Sequence, residues 1–175
     1  MSNIKTIGSF AALVVTIFWA ASKVMGETAR LTVEQVRTLA RNAVNRDGLP
    51  VDPIMLQAMT EIESSRNPMA MRAEPQIGDA SIGLMQTLMK TSKWLYDDMG
   101  ARKFGEPTAE RLFNPEVSMY FAGQYIKWLA NYRGERRSED WIVMSYNGGP
   151  GADNDQTRNH LRKYHEAKNR LLRGS

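Results

Sequence analysis

Two carboxylates, Glu61 and Glu63, stand near the end of an apolar segment that begins at Ile54, and the readiest chemistry in the chain starts from them. The segment reads as a helix. Asp52 offers an N-cap oxygen and Pro53 takes the first helical position, where its missing N–H costs nothing. Asn67-Pro68 marks the stop, because a residue ahead of proline is pushed out of the α region. Negative partial charge gathers at the C-terminal end of a helix and opposes ionisation of a carboxyl group placed there. Apolar neighbours oppose it as well. A carboxylic acid kept protonated near neutral pH is what a general acid needs to protonate a glycosidic oxygen. At about 100° per residue, Glu61 falls beside Ile54, and Glu63 beside Leu56 and Met59. Each flanks the apolar stripe, so periodicity leaves the choice between them open, and a solvated helix end would look the same.

The spelling around the pair carries more information. Glu63-Ser64, then Asn67-Pro68 and Ala70, then Gly83-Leu84-Met85-Gln86 resembles the catalytic signature of the soluble lytic transglycosylases. These form family 23 of the glycoside hydrolases and share the lysozyme-like fold with goose-type lysozymes. Leu112-Phe113-Asn114-Pro115-Glu116 resembles the family's Leu-Phe-Asp-Pro-Glu, with Tyr125 at the tyrosine of the following helix. Ser145-Tyr146-Asn147-Gly148-Gly149-Pro150-Gly151 resembles its Ala-Tyr-Asn-Ala-Gly-Pro-Gly. The motifs occur in the family's order and span about residues 50 to 165, which makes them far more specific together than any one alone.

Carried over residue by residue, the resemblance places Glu63, and not Glu61, at the family's single acid/base. Ser64 is the serine that follows it. Met85 and Gln86 match residues lining the sugar cleft, Tyr146 the tyrosine that points at the catalytic carboxyl, and Asn147 its motif neighbour. Tyr125 is a further cleft candidate. The implied activity is cleavage of the β-1,4 bond between N-acetylmuramic acid and N-acetylglucosamine in peptidoglycan glycan strands, leaving 1,6-anhydro ends. No metal or cofactor is implied. The chain departs from the family in the loop before Gly83, where Arg72 to Ser81 replaces Ser-x-x-Gly-Ala, and at Ala122, which stands for a glycine. The loop brings two extra carboxylates, Glu74 and Asp79. Goose-type lysozymes, which hydrolyse, also have aspartate there, so a hydrolytic lysozyme with Asp79 or Glu74 holding the water is the second reading. A third is a non-catalytic wall-binding subunit of an envelope-spanning machine.

The elements that must position these residues follow from pattern. With 175 residues and 42% hydrophobic composition, the chain reads as one domain, residues 27–175, behind an N-terminal appendage. Residues 1–26 read as a signal-anchor or transmembrane segment, uncharged between Lys5 and Lys23 and close to the roughly 17–25 residues a bilayer-spanning helix needs. A cleaved signal peptide is the alternative. The expected location is the inner membrane with the domain in the periplasm or outside the cell, or export after cleavage. The settings such an enzyme would suit are a phage, a secretion or other envelope-spanning complex, and routine wall turnover. Thr32 to Gln35 resembles a capping box, with an amphipathic helix running to Asp47-Gly48. Further helices are expected from Leu88 to Met99, from Asn114-Pro115 (the longest), from Ser138 to Tyr146, and from Thr157 to Arg173.

The fold class is therefore mainly α, a lysozyme-like helical domain, with sheet confined to the Met69–Ile82 loop. No cysteine is present, which excludes disulfides, thiolate metal sites and a cysteine nucleophile. The net charge of +4 suits an anionic wall or membrane, and no nucleic-acid motif accompanies it. The tail helix carries many of the basic residues, with Leu161, Tyr164 and Leu171 on its inner side. His160 and His165 do not share a helix face and suggest no metal site.

Overall fold

A computed structural model describes residues 30–174. The expected N-terminal anchor, residues 1–26, lies outside the described residues. Seven α-helices and one small sheet make up what is described: α1 (Val33–Asp47), α2 (Pro53–Ser64), β1 (Met71–Glu74), β2 (Asp79–Ile82), β3 (Thr87–Leu88), α3 (Met89–Asp97), α4 (Ala109–Leu112), α5 (Pro115–Ala130), α6 (Glu139–Gly148) and α7 (Asp155–Leu172). The protein is mainly helical, and the candidate catalytic helix α2 lies at its centre.

Helix α2 begins where Asp52 and Pro53 place it, with the Asp52 carboxylate accepting from the Ile54 amide at 2.8 Å. Six consecutive residues, Met55 to Thr60, are buried, so the helix is covered on every side rather than along one stripe. Each of Met55, Leu56 and Met59 removed from water contributes about 1.5–3 kcal/mol. Helices α1 and α7 pack against α2, and α5 packs against α1. Thr32 and Gln35 close the capping box of α1. Asn114 caps α5 through the Glu116 and Val117 amides, with Pro115 at its first position. Ser138 caps α6. Among the described residues the longest helix is α7 and not α5: the capping box of Asn154 and Thr157 starts it ahead of the expected Thr157.

Helix α2 stops earlier than Pro68 requires. Ser65 and Arg66 both take left-handed backbone conformations, with φ of 50° and 65°, and the chain turns there. Beyond the turn the sheet forms in the order β1-β2-β3, antiparallel throughout, with Met71 opposite Ile82 and Ile82 opposite Thr87. It therefore extends beyond the Met69–Ile82 loop. Gly83 links β2 to the buried Leu84 and Met85 with φ of 80°. A Cβ at Gly83 would lie 2.0 Å from the Leu112 carbonyl oxygen, so only glycine lets the chain pass α4.

Candidate active site

The last turn of α2 separates its two carboxylates. Glu61 is held by Arg66, whose Nε donates to the Leu31 carbonyl at 2.9 Å, so this ion pair ties the helix end to the segment before α1. Glu63 turns the other way, into a cleft of about 290 Å³ between the sheet and α6. Its side chain is only 9% exposed. The cleft is also lined by Gln86, Tyr125, Tyr146, Asn147 and Glu74.

Three neighbours of Glu63 in sequence or motif serve as framework. Ser64 does not line the cleft; its hydroxyl donates to the Leu84 carbonyl at 2.7 Å and ties the helix end to the turn after Gly83. Met85 is fully buried, with its sulfur 3.1 Å from the Thr60 hydroxyl and its amide donating to Ser118 Oγ at 3.0 Å. Its side chain packs in the core, and its carbonyl supports the site. Gln86 does reach the cleft. Its backbone is left-handed at φ 48°, and its Nε2 donates to the carbonyls of Ala70 and Gly83, each at 3.0 Å. That amide staples both sides of the turn opposite Glu63.

Tyr146 presses in from α6. Its hydroxyl donates to the Met85 carbonyl at 2.9 Å and lies 3.1 Å from Thr87 Oγ1, which is left to donate to it. The tyrosine is thus fixed to the turn beside Glu63 rather than hydrogen-bonded to the carboxyl group. Burial raises its phenol well above the ordinary tyrosine value, and the nearby Glu63 charge raises it further. Tyr125, on α5, sets its ring 5.5 Å from Tyr146 and stacks on Trp128 at 5.8 Å. Burial pushes its hydroxyl up to about 12. Asn147 lines the cleft with Gln156 Nε2 at 3.5 Å from its Oδ1.

The two loop carboxylates part company. Glu74 lines the cleft, where Arg72 Nε donates to it at 2.6 Å and Ser81 Oγ at 3.1 Å. The Arg72 hydrogen bond holds its carboxyl below the usual carboxylate range. Asp79 is not part of the lining. It accepts from the amides of Ala80 at 2.8 Å and of Lys90 at 3.2 Å, and so caps α3, whose own N-cap residue Leu88 has no side chain for the task.

Glu63 at the wall of this cleft, with Tyr146 fixed beside it, lies inside a stretch that matches a known family. Residues 40–169 match the family described as the transglycosylase SLT domain. The chain belongs to this transglycosylase family. It is also 35% identical over 108 residues to the endo-type membrane-bound lytic murein transglycosylase A of Salmonella typhimurium, and equally to those of Salmonella gallinarum and Salmonella choleraesuis. The matched stretch covers 58% of this chain and 50% of each relative, so the chain spans about half the length of the curated relatives it matches.

In this transglycosylase-family chain one site residue escapes motif reasoning. His160, on α7, places Nε2 at 3.2 Å from Glu63 Oε1. The signal for it was helical spacing: Thr157, Tyr164 and Ala167 form the buried stripe of α7, and His160 falls on that stripe three residues after Thr157 and four before Tyr164. Arg72, Thr87 and Thr91 also line the cleft without belonging to any motif considered above.

Proposed function

We propose that this protein is a peptidoglycan lytic transglycosylase of lysozyme-like fold, acting through Glu63 as both acid and base. The observation that carries the reading is that Glu63 stands at the cleft wall without a cation, while Glu61 is bound to Arg66, Glu74 across the cleft is bound to Arg72, and Asp79 is turned away to cap α3. A glycan strand lying in the cleft would meet Glu63 at a glycosidic oxygen, between the Tyr125–Tyr146 ring pair and the sheet. Glu63 gives its proton to the leaving oxygen as the bond to the anomeric carbon breaks. The resulting carboxylate takes the proton of the muramoyl 6-hydroxyl, which attacks the anomeric carbon and closes the 1,6-anhydro ring. The substrate's own hydroxyl replaces water, so one carboxylate suffices where ordinary glycosidases use two.

Tyr146 supports this by holding the Met85 carbonyl and the Gln86 turn in place against Glu63. Ser64 anchors the other end of the same turn. Asn147, Gln86 and Tyr125 offer polar edges and a ring face to the sugars. Residues 1–26 would serve as the signal-anchor that holds domain 27–175 at the inner membrane, facing peptidoglycan. The relatives are named as membrane-bound, which supports that setting. The full-length protein and its Glu63→Gln variant, each added to purified sacculi, test the role of Glu63. Clearing by the parent and none by the variant is expected, with both still sedimenting on the wall. Equal clearing would remove Glu63 from the reaction; no clearing by either, with binding intact, would favour a wall-binding subunit.

A further inference from the structure

We propose that His160 is a positioning residue for Glu63, donating from Nε2 to Oε1 at the moment the carboxyl group becomes charged. The inference rests on the reading of Glu63 as the acid/base. His160 Nε2 and Glu63 Oε1 are 3.2 Å apart, and both atoms are shut off from solvent. The approach falls outside hydrogen-bond geometry, so each is a buried polar atom without a hydrogen bond, a costly state when the carboxyl is ionised. At 3.2 Å the distance already suits a hydrogen bond, and only the direction of the donor must change.

Several charged groups on the packed elements are engaged elsewhere. On α2, Glu61 pairs with Arg66; on α6, Glu139 pairs with Lys168 and accepts from Tyr164, and Asp140 lies 3.0 Å from His165. In the cleft itself Tyr146 donates to Met85, Glu74 is bound to Arg72, and Tyr125 packs against Tyr146. On α7 itself, Arg158 is paired with Asp153 and Arg162 with Glu166. His160 is therefore the donor the fold supplies to Glu63.

Oε1 faces His160, which leaves Oε2 for the substrate. In the resting acid the proton sits on Oε2 and passes to the leaving glycosidic oxygen. The carboxylate left behind is enclosed, and a charge-assisted hydrogen bond from His160 stabilises it. Oε2 then accepts the proton of the attacking 6-hydroxyl, restoring the acid.

The test compares His160→Gln, which keeps an amide donor, with His160→Met, which fills similar space without one. Folding is verified by thermal melting, and initial rates of anhydro-product release are followed across pH. The Met variant should lose about 10- to 100-fold in kcat, the worth of a hydrogen bond to a charged group, with KM within about twofold. Its pH–rate profile should differ from the parent's, because the carboxylate formed during the reaction has lost its donor. The Gln variant should recover most of the rate and the parent profile. A Met variant with parent kcat and parent profile would overturn the role of His160 while leaving Glu63 untouched. Absence of anhydro product from the parent would instead defeat the assigned reaction. A second measurement stands apart from activity: the Nε2 resonance of His160 should differ between the parent and Glu63→Gln, and identical resonances would overturn the contact.

Discussion

Glu61 and Glu63 are two positions apart on α2 and meet opposite fates, one neutralised by Arg66 and one directed into the cleft. Periodicity could not choose between them because α2 is buried all round, so neither face of the helix is a solvent face. The motif resemblance favours Glu63, and in the structure Glu61 has a cation beside it that Glu63 lacks. Substituting Glu63 by Gln should lower glycan cleavage at least about 100-fold, the scale of positioned acid–base catalysis, as read from initial rates on sacculi. Tyr146 was legible from the same spelling, but its hydrogen bond to the Met85 carbonyl was not, since that depends on how α6 meets the turn. His160 was missed for the opposite reason: its helical spacing was readable, but its partner is 97 positions away in the chain.

The phenols of the site carry a consequence for alkaline stability. Burial holds the folded Tyr146 neutral well above the ordinary tyrosine value and Tyr125 neutral up to about 12. Unfolded tyrosines ionise near about 10, so above that pH the folded state binds more protons than the unfolded one. Stability from these groups is complete below about 10 and falls as pH rises toward the folded values. Denaturant titrations at pH 8 and 11 should show that loss, and Tyr146→Phe should reduce it. At pH 8 the same substitution should cost about 1 kcal/mol for the lost hydrogen bond.

At the scale of elements, the turn from β2 into α3 is what brings the motifs together, and its parts are separable by substitution. Gly83→Ala should destabilise by about 3 kcal/mol in denaturant titration, since it adds a positive-φ penalty to a 2.0 Å collision with the Leu112 carbonyl. Asp79→Asn should cost only about 0.5 kcal/mol, the charge part of a helix cap, and should leave the cleavage rate unchanged. A large loss of rate at Asp79 with stability intact would revive its place in hydrolysis. Helix starts were legible here because Asp52-Pro53, Asn114-Pro115 and Ser138 each place a capping oxygen ahead of the first turn. The helix end at Ser65 and the role of Asp79 were not legible. The first depends on left-handed residues that are not glycine, and the second on a sheet bringing Asp79 to an amide eleven residues on.

Across the whole molecule, the basic tail contributes less free charge than its composition suggests. Arg158, Arg162 and Lys168 each have an acidic partner, and Thr157, Tyr164 and Ala167 pack α7 onto α2 and α6. Among the described residues no helix is long and apolar enough to cross a membrane. Attraction of the net charge of +4 to an anionic wall should be weak and screened by salt. Sedimentation with sacculi should fall as salt rises, while cleavage of short soluble glycan fragments should change little.

In the reaction proposed for Glu63, the substrate's own hydroxyl, and not water, completes the cleavage. Mass spectrometry of the fragments that the full-length protein releases from peptidoglycan tests it most directly. The expected products end in 1,6-anhydro-muramoyl residues, each lighter by one water than a reducing end, and they vanish with Glu63→Gln. Fragments with reducing ends would contradict the claim and make the Arg72-bound Glu74, the remaining loop carboxylate in the cleft, the group to hold the water.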